Sequence, residues 1–310
     1  MKISVIICTY NPNPLILEKC LLALEASLKD YRAHEVLLID NNSSPSITEI
    51  ESVKIFLNHF PEASVIRETK PGLTPARLRG IAESTGELLV FVDDDNIVAP
   101  DFLRVGHRIA EENRHIGAWS GQVKLTFEKE PEPWTRKYWG LLVYREFERD
   151  SWSNFPHMPE TMPCGAGLFV RKEVADFYKN LCDSGQRNIQ LDRKGNSLFS
   201  GGDNDLAACA CDVGLGVGLF HDLSLQHYIT PQRLSKSYLL KLAESISAST
   251  VVFKSFRKEY PQPVTVRTKI ANNLRLALKS GLDREFYKAV LKGEEIGKKI
   301  LKQGLQSDSN

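Results

Sequence analysis

Four short apolar runs, Ile3 to Cys8, Glu35 to Ile39, Ala63 to Arg67 and Glu87 to Val92, alternate with helix-like stretches inside the first hundred residues. Near-continuous apolar runs suit strands covered on both faces, and connections long enough for a helix suit parallel neighbours. The helices carry their own signals. Asn13 and Pro14 read as a cap and first helical residue, followed by Leu15, Cys20, Leu21, Leu24 and Leu28 at helical spacing. Ser46 and Glu49 fit a capping box for a second helix, and Thr74-Pro75 opens a third that should stop at Gly86. The β-α-β-α-β-α-β order predicts an α/β fold with a doubly wound, mostly parallel sheet.

The fourth run delivers Asp93, Asp94 and Asp95 in succession. Aspartate is a poor strand residue, so the strand should end there, at the sheet edge where open α/β folds bind ligands. Like charges at such spacing repel unless a cation sits among them, and a hard divalent ion with oxygen ligands answers that need. An acidic turn capping the next helix is the plainer alternative.

Beyond the triplet the pattern loosens. Pro100 to Asn113 reads as a helix and Ile116 to Leu125 as a strand; an insertion from Glu128 to Pro163 then carries Trp134, Tyr138, Trp139, Tyr144 and Trp152. These aromatics either pack a lid or wall an acceptor site, with Trp139 a candidate for the latter. Gly165 begins a strand with a close backbone approach. A glycine turn at 200–205 leads into a helix, and Val217 to Phe220 and Ser224 to Ile229 read as two short strands, the second bearing His227. Pro231 to Lys258 and Val266 to Gly304 are helical. The domains expected are 1–230, divided at 115/116 into a nucleotide-binding and an acceptor half, and a helical extension over 231–310.

Composition excludes several classes. With 40 Lys and Arg against 39 Asp and Glu, net charge gives no reason to expect nucleic acid as partner. The six cysteines form no CxxC pair, so neither zinc nor a redox dithiol is indicated and reduced structural thiols are expected. Neither GxGxxG nor GxxxxGK[ST] follows the first strand, which removes the best support for dinucleotide or P-loop binding. The N-terminus does not read as a secretory signal and no window is apolar over a bilayer's width, so the expected location is the cytoplasm.

Three polar clusters should meet at one sheet edge: Thr9-Tyr10-Asn11 with Asp40, then Arg77, then Asp93 to Asp95. Here the sequence resembles family 2 inverting glycosyltransferases. The resemblance rests on SVIICTYN at 4–11, LLIDNNSS at 37–44, GLTPARLRG at 72–80, FVDDDN at 91–96, GAGLFVR at 165–171 and SGGDNDL at 200–206. It implies a GT-A fold, a nucleotide-diphosphate sugar as donor, a saccharide or lipid-linked acceptor and a divalent metal, Mn²⁺ or Mg²⁺. Position by position, Thr9, Tyr10, Asn11 and Asp40 match residues around the nucleoside, and Arg77 matches an arginine near base and diphosphate. Leu78 stands where an asparagine is usual, which bears on the identity of the base. Asp93 and Asp95 match the outer carboxylates of a D-x-D motif, towards ribose and metal respectively, with Asp94 in the variable place. Asp203 matches the catalytic base, with Gly202 where glutamate is common and Asp205 a rival turned towards acceptor. His227 matches a histidine that completes the metal shell in some members. The implied reaction is a single inverting displacement, in surface polysaccharide or glycolipid synthesis.

Two rivals stand beside it: a phosphohydrolase using Asp93 and Asp95, and a non-catalytic nucleotide-sugar-binding protein. The first is weakened because its D-x-D normally follows the first strand and is followed two positions on by Thr or Val, where this chain has Ile97. Donor and acceptor specificity are expected in the aromatic insertion and in 181–200. Arg267 to Lys302 holds ten Lys or Arg against four acids, interleaved with apolar residues. It reads as the wet face of packed helix, with peripheral contact to an anionic membrane face as the alternative.

Overall fold

A computed structural model describes residues 1–156, 158–187, 191, 199, 201–263 and 265–307, with the side chains of 304–307 excepted. Most of the expected specificity segment 181–200 therefore lies outside the described residues. The chain divides into two compact units, one of Met1–Gln186 with Asp203–Pro231 and the other of Arg187–Gly202 with Gln232–Asn310.

The larger unit begins with β1 (Ile3–Thr9), α1 (Pro14–Asp30), β2 (Glu35–Asp40), α2 (Glu51–His59), β3 (Ala63–Arg67), α3 (Leu73–Glu83) and β4 (Leu88–Asp93). It continues with β5 (Asn96–Val98), α4 (Phe102–Glu112), β6 (Ile116–Phe127), β7 (Ser151–Ser153), β8 (Leu168–Arg171), α5 (Lys172–Asp183), α6 (Gly202–Asp212) and β9 (Gly216–Ile229). Among the described residues these strands form one sheet in the order β3-β2-β1-β4-β8-β6-β9-β5, with β7 also on β9. The first four are parallel, as the apolar runs predict. From β8 onward the sheet is mixed: β8 runs antiparallel to β4 and β6, whereas β6 and β9 are parallel.

Both faces of the parallel part of the sheet are covered, which explains the near-continuous apolar runs of β1, β2 and β4. Ile3, Val5 and Ile7 pack with Leu17, Leu21 and Leu24 of α1. On the other face Ile6 meets α3 so closely that a Cβ on Gly80 would lie 2.5 Å from its Cγ2. Asn13 caps α1 by accepting from the Leu15 amide, with Pro14 in the first turn, as its sequence indicates.

Several expectations are corrected. Ser46 accepts from Thr48 rather than Glu49 and opens only a 3-10 turn, Ile47–Glu49; α2 starts at Glu51. The reason is Asp40, which holds Ser46 Oγ at 3.1 Å and the Ile47 amide at 3.3 Å. The third helix stops at Glu83, before Gly86. Gly86 is needed for a close approach instead: its amide donates to Ser4 Oγ at 2.8 Å, and a Cβ there would lie 2.5 Å from the same oxygen. The two strands expected at 217–229 are one, β9, interrupted in register opposite Gly121–Gln122. Exposed His221 and Asp222 at that irregularity look like a loop in sequence, and Gly121 lets the Leu223 carbonyl approach where a Cβ would be 1.9 Å away. β5 and β7, three residues each, carry too little pattern to be seen.

The smaller unit contains α7 (Lys236–Ser255), α8 (Val266–Leu278) and α9 (Gly281–Ser307). The single helix expected over 266–304 is broken at Gly281, whose φ is +50°. α9 lies close against α7: a Cβ on Gly293 would stand 2.1 Å from the Glu244 carbonyl oxygen, and one on Gly297 2.7 Å from that of Ala248. Phe286, Ala289 and Leu301 of α9 are buried.

Candidate active site

The parallel strands end side by side, so the residues that follow β1, β2 and β4 meet at one edge. Pairing of Thr9 with Asp40 and of Cys8 with Asp93 sets that alignment. Thr9, buried, donates its hydroxyl to Asp94 Oδ2 and so joins the first strand end to the acidic triplet. Tyr10 is exposed, its ring open to solvent. Asn11 adopts a left-handed backbone, φ +45°, and clasps the next loop: its amide donates to Ser43 Oγ and its Oδ1 accepts from the Ser44 amide, both at 2.9 Å.

Asp40 is buried, and its carboxylate accepts from the Ser43 amide at 2.8 Å, from Ser46 Oγ and from the Ile47 amide. Burial works to raise its pKa, but the hydrogen bonds from Ser43, Ile47 and Ser46 outweigh it and hold the carboxyl below its ordinary value. Asp40 therefore shapes the loop behind the site.

Asn41 is a positioning residue that sequence reasoning missed. Buried, it donates to the Lys70 and Glu68 carbonyls at 2.8 and 3.3 Å and accepts from the Gly72 amide at 2.8 Å. It thereby ties the end of β2 to the loop that starts α3, where Arg77 is buried. Position 41 lies within the LIDNN motif, and a polar side chain directly after a buried strand was the available signal.

In the acidic turn, burial first and the adjacent Asp95 charge second raise the Asp93 carboxyl above its ordinary value, while Arg77 and His227 oppose them. The turn is held by Asn96, fully buried, which accepts from the Asp93 amide at 3.2 Å and donates to Asp95 Oδ1 at 3.1 Å. Below it, Cys20 is buried and donates to the Asp93 carbonyl at 3.5 Å. Burial and the charges of Asp94, Asp95 and Asp93 push its thiol well above the ordinary value, so it stays uncharged. All six cysteines are free thiols.

β5 places Asn96 opposite His227 on β9, which brings the histidine beside the turn. His227 Nδ1 lies 3.0 Å from the Leu142 carbonyl, which can only accept, so Nδ1 carries the proton. In the neutral ring the lone pair is then on Nε2, and Nε2 lies 3.2 Å from Asp95 Oδ2. Two acceptors facing each other require a cation between or beside them, a proton or a metal ion. A carbonyl that fixes the tautomer while the other nitrogen faces a carboxylate is the usual support of a metal-binding histidine. The Leu142 carbonyl is itself set by Val143, a β-branched residue in the left-handed region at φ +69°. Among the described residues no group of three or more His, Cys, Asp or Glu is gathered as a cage. A carboxylate and a neutral imidazole, with substrate phosphates left to complete the shell, fit a divalent ion such as Mn²⁺.

Asp203 lies in the first turn of α6 rather than at its cap, because the helix begins at Gly202. Its Oδ2 accepts from the Gly165 amide at 2.6 Å. A Cβ on Gly165 would lie 2.8 Å from that oxygen and 3.0 Å from an Arg77 guanidinium nitrogen, so carboxylate and guanidinium both rest against this glycine. Asp205 is 2% exposed, closed off from solvent, whereas Asp203 is half-buried. Trp139 packs with Phe127 and Tyr144 at ring-centroid distances of 4.9 and 5.8 Å, and its indole donates to Thr135 Oγ1. It is half-buried, and these contacts make it part of the packing of the insertion.

The family model described as Glycosyl transferase family 2 matches residues 4–175, more than half of the chain. The chain belongs to glycosyl transferase family 2. It is a glycosyltransferase, and the phosphohydrolase reading falls with that assignment. It is 27% identical over 235 residues to the glycosyltransferase AglE of Haloferax volcanii, covering 74% of this chain and 67% of the relative. Three other curated glycosyltransferases, from Escherichia coli, Borreliella burgdorferi and Bacillus subtilis, match over 27% to 35% of their own length. Among solved structures, residues 1–349 of S. aureus TarS superpose with a TM-score of 0.51 at 15% identity, covering 98% of this chain and 92% of that one. GalNAc-T7, solved with UDP, GalNAc and Mn²⁺, gives 0.52 at 14% identity over 89% of this family 2 chain and 54% of its own. At such identities these likenesses establish the GT-A fold and nothing finer.

Proposed function

We propose that this enzyme moves a sugar from a nucleotide-diphosphate sugar to an acceptor hydroxyl by a single inverting displacement, with Asp203 as general base. The observation that carries the reading is the placing of Asp203 and Arg77 against Gly165. An anionic base and a cation for phosphate are thereby set beside one glycine. The amide of Gly165 orients the carboxylate without protonating it, leaving Asp203 able to accept a proton from the attacking hydroxyl.

Thr9, Tyr10 and Asn11 with the loop shaped by Asp40 receive the nucleoside. Asp93 faces the ribose, and Asp94 is held for the same task by Thr9. Arg77 offsets charge on the diphosphate. Asp95 and His227 would hold a divalent ion, which when bound would stabilise the negative charge on the departing diphosphate. Asn96 and the Leu142 carbonyl keep those two side chains in place. The acceptor is a saccharide or a lipid-linked saccharide, in surface polysaccharide or glycolipid synthesis.

The test is a thermal-shift screen of nucleoside diphosphates with and without Mn²⁺ or Mg²⁺, beginning with UDP and Mn²⁺ because a structural neighbour binds that pair. Stabilisation by one nucleotide that depends on metal is the expected result, about 2.7 kcal/mol at a hundredfold excess over Kd. No response to any nucleotide would sink the proposal. Hydrolysis or transfer with the cognate donor then distinguishes the enzyme from a binding protein, and the anomeric configuration of the product reports inversion.

A further inference from the structure

The two basic helices of the smaller unit resemble each other in sequence but not in surroundings. α9 buries its apolar face. α8 does not: Val266 is 72% exposed, Ile270 62%, Leu274 62% and Leu278 80%. These four recur every four residues and form one stripe along the helix. The opposite side of α8 is the docked one, where Asn272 accepts from Tyr287 Oη of α9 at 3.0 Å and Lys279 lies over the Tyr287 ring.

A contiguous apolar stripe along one exposed helix marks a contact surface. Its charge setting says what kind. Arg267 and Arg275 flank the stripe on one side and Lys269 on the other, and no acidic residue occurs between Glu259 and Asp283. A second copy of the same helix, packed stripe to stripe, would bring these cations against like charges. An anionic lipid surface instead accepts the apolar side chains among its acyl chains and the basic side chains among its headgroups. The helix is ready for this before contact, since Thr265 caps it by accepting from the Thr268 amide at 3.1 Å. Thirteen residues with so few packed contacts are marginal as a free helix, so a surface that covers the stripe would also stabilise it.

We infer that α8 is a membrane-docking helix that lies in the interface of an anionic phospholipid bilayer, with Val266, Ile270, Leu274 and Leu278 inserted. No described helix is long and apolar enough to cross a membrane, so the attachment is to one face. The inference does not depend on Asp203 or on the identity of the donor.

The experiment is flotation of the full chain with vesicles of phosphatidylcholine alone and with about one third phosphatidylglycerol. Binding to the anionic vesicles and not to the neutral ones is expected, falling as salt rises. Ile270→Ser with Leu274→Ser should lower the partition coefficient at least tenfold. Charge removal at Arg267, Lys269 and Arg275 by glutamine should lower it about fivefold per residue. All these side chains are exposed, so the thermal midpoint should hold, and a variant that keeps its midpoint while losing the vesicles supports the inference. Absence of binding to anionic vesicles would overturn it, as would binding that survives the double serine variant. A concentration-dependent dimer that the same serines abolish, without vesicle binding, would assign the stripe to a second copy instead.

Discussion

In the N-terminal part of the larger unit, up to β5, the candidate site is pinned by side chains that reach a few residues along the chain or across adjacent strand ends. Asn11 clasps 43–44, Asp40 gathers 43–47, Asn41 ties down 68–72 and Asn96 closes the acidic turn. The part from β6 onward works differently. Its two side chains proposed for the chemistry are held by backbone groups of distant segments, Asp203 by the Gly165 amide and His227 by the Leu142 carbonyl. Under the proposed function, side chains that lock loops make stability and nucleotide affinity depend on the N-terminal part. Support by backbone groups leaves the later part able to lose chemistry while keeping its fold.

The strongest separation should come from Asp203→Asn. Sugar transfer is expected to fall on the order of 10²- to 10⁴-fold in kcat with nucleotide-induced thermal stabilisation intact. Full turnover in that variant would remove Asp203 as base. Next, Asn96→Ala should weaken Mn²⁺ binding roughly 10- to 100-fold, read by titration of the metal in the presence of nucleotide, because Asp95 loses its support. It should also lower stability, since the Asp93 amide loses its acceptor. Gly165→Ala forces Asp203 or Arg77 to shift, and about a ten- to hundredfold loss of kcat is expected with little change in unfolding midpoint. A large drop in midpoint would show that this glycine serves the fold.

Changes at the end of β2 reverse the pattern. Asn41→Ala leaves the Gly72 amide and the Lys70 carbonyl without their partner, at a cost of about 2–3 kcal/mol by denaturant titration. The smallest effect belongs to Asp40. Its folded pKa is depressed, so the stability it contributes is present above the ordinary carboxylate pKa and is lost as pH falls through the folded value. Asp40→Asn should therefore flatten the acid limb of the stability profile below about pH 4 and leave its neutral shape alone.

The same contrast governs what could be read from the residues. Buried parallel strands need apolar side chains at every position, so β1, β2 and β4 and the polar groups at their ends were legible. The Asn13 cap was legible for the same local reason. Long-range pairing writes no such pattern. β5 and β7 are three residues long, and β9 was split in two because its irregularity exposes His221 and Asp222. Position-supporting groups such as the Leu142 carbonyl have no side-chain signature at all. In the C-terminal region the sequence of α8 and α9 gave one reading, because period and charge say which face is apolar but not whether anything covers it.

One consequence of the strand order concerns solubility. β9, fourteen residues long, would be a dangerous outer edge, offering unpaired backbone to any extended chain. Its outer side is instead capped in two places, by β7 on 217–219 and by β5 on 225–227. Two staples too short to recruit a further strand thus serve as a guard against edge-to-edge assembly. One of them is continuous with the acidic turn, so disorder that begins at the Asp triplet would also uncover a surface on which copies of the protein could stick together.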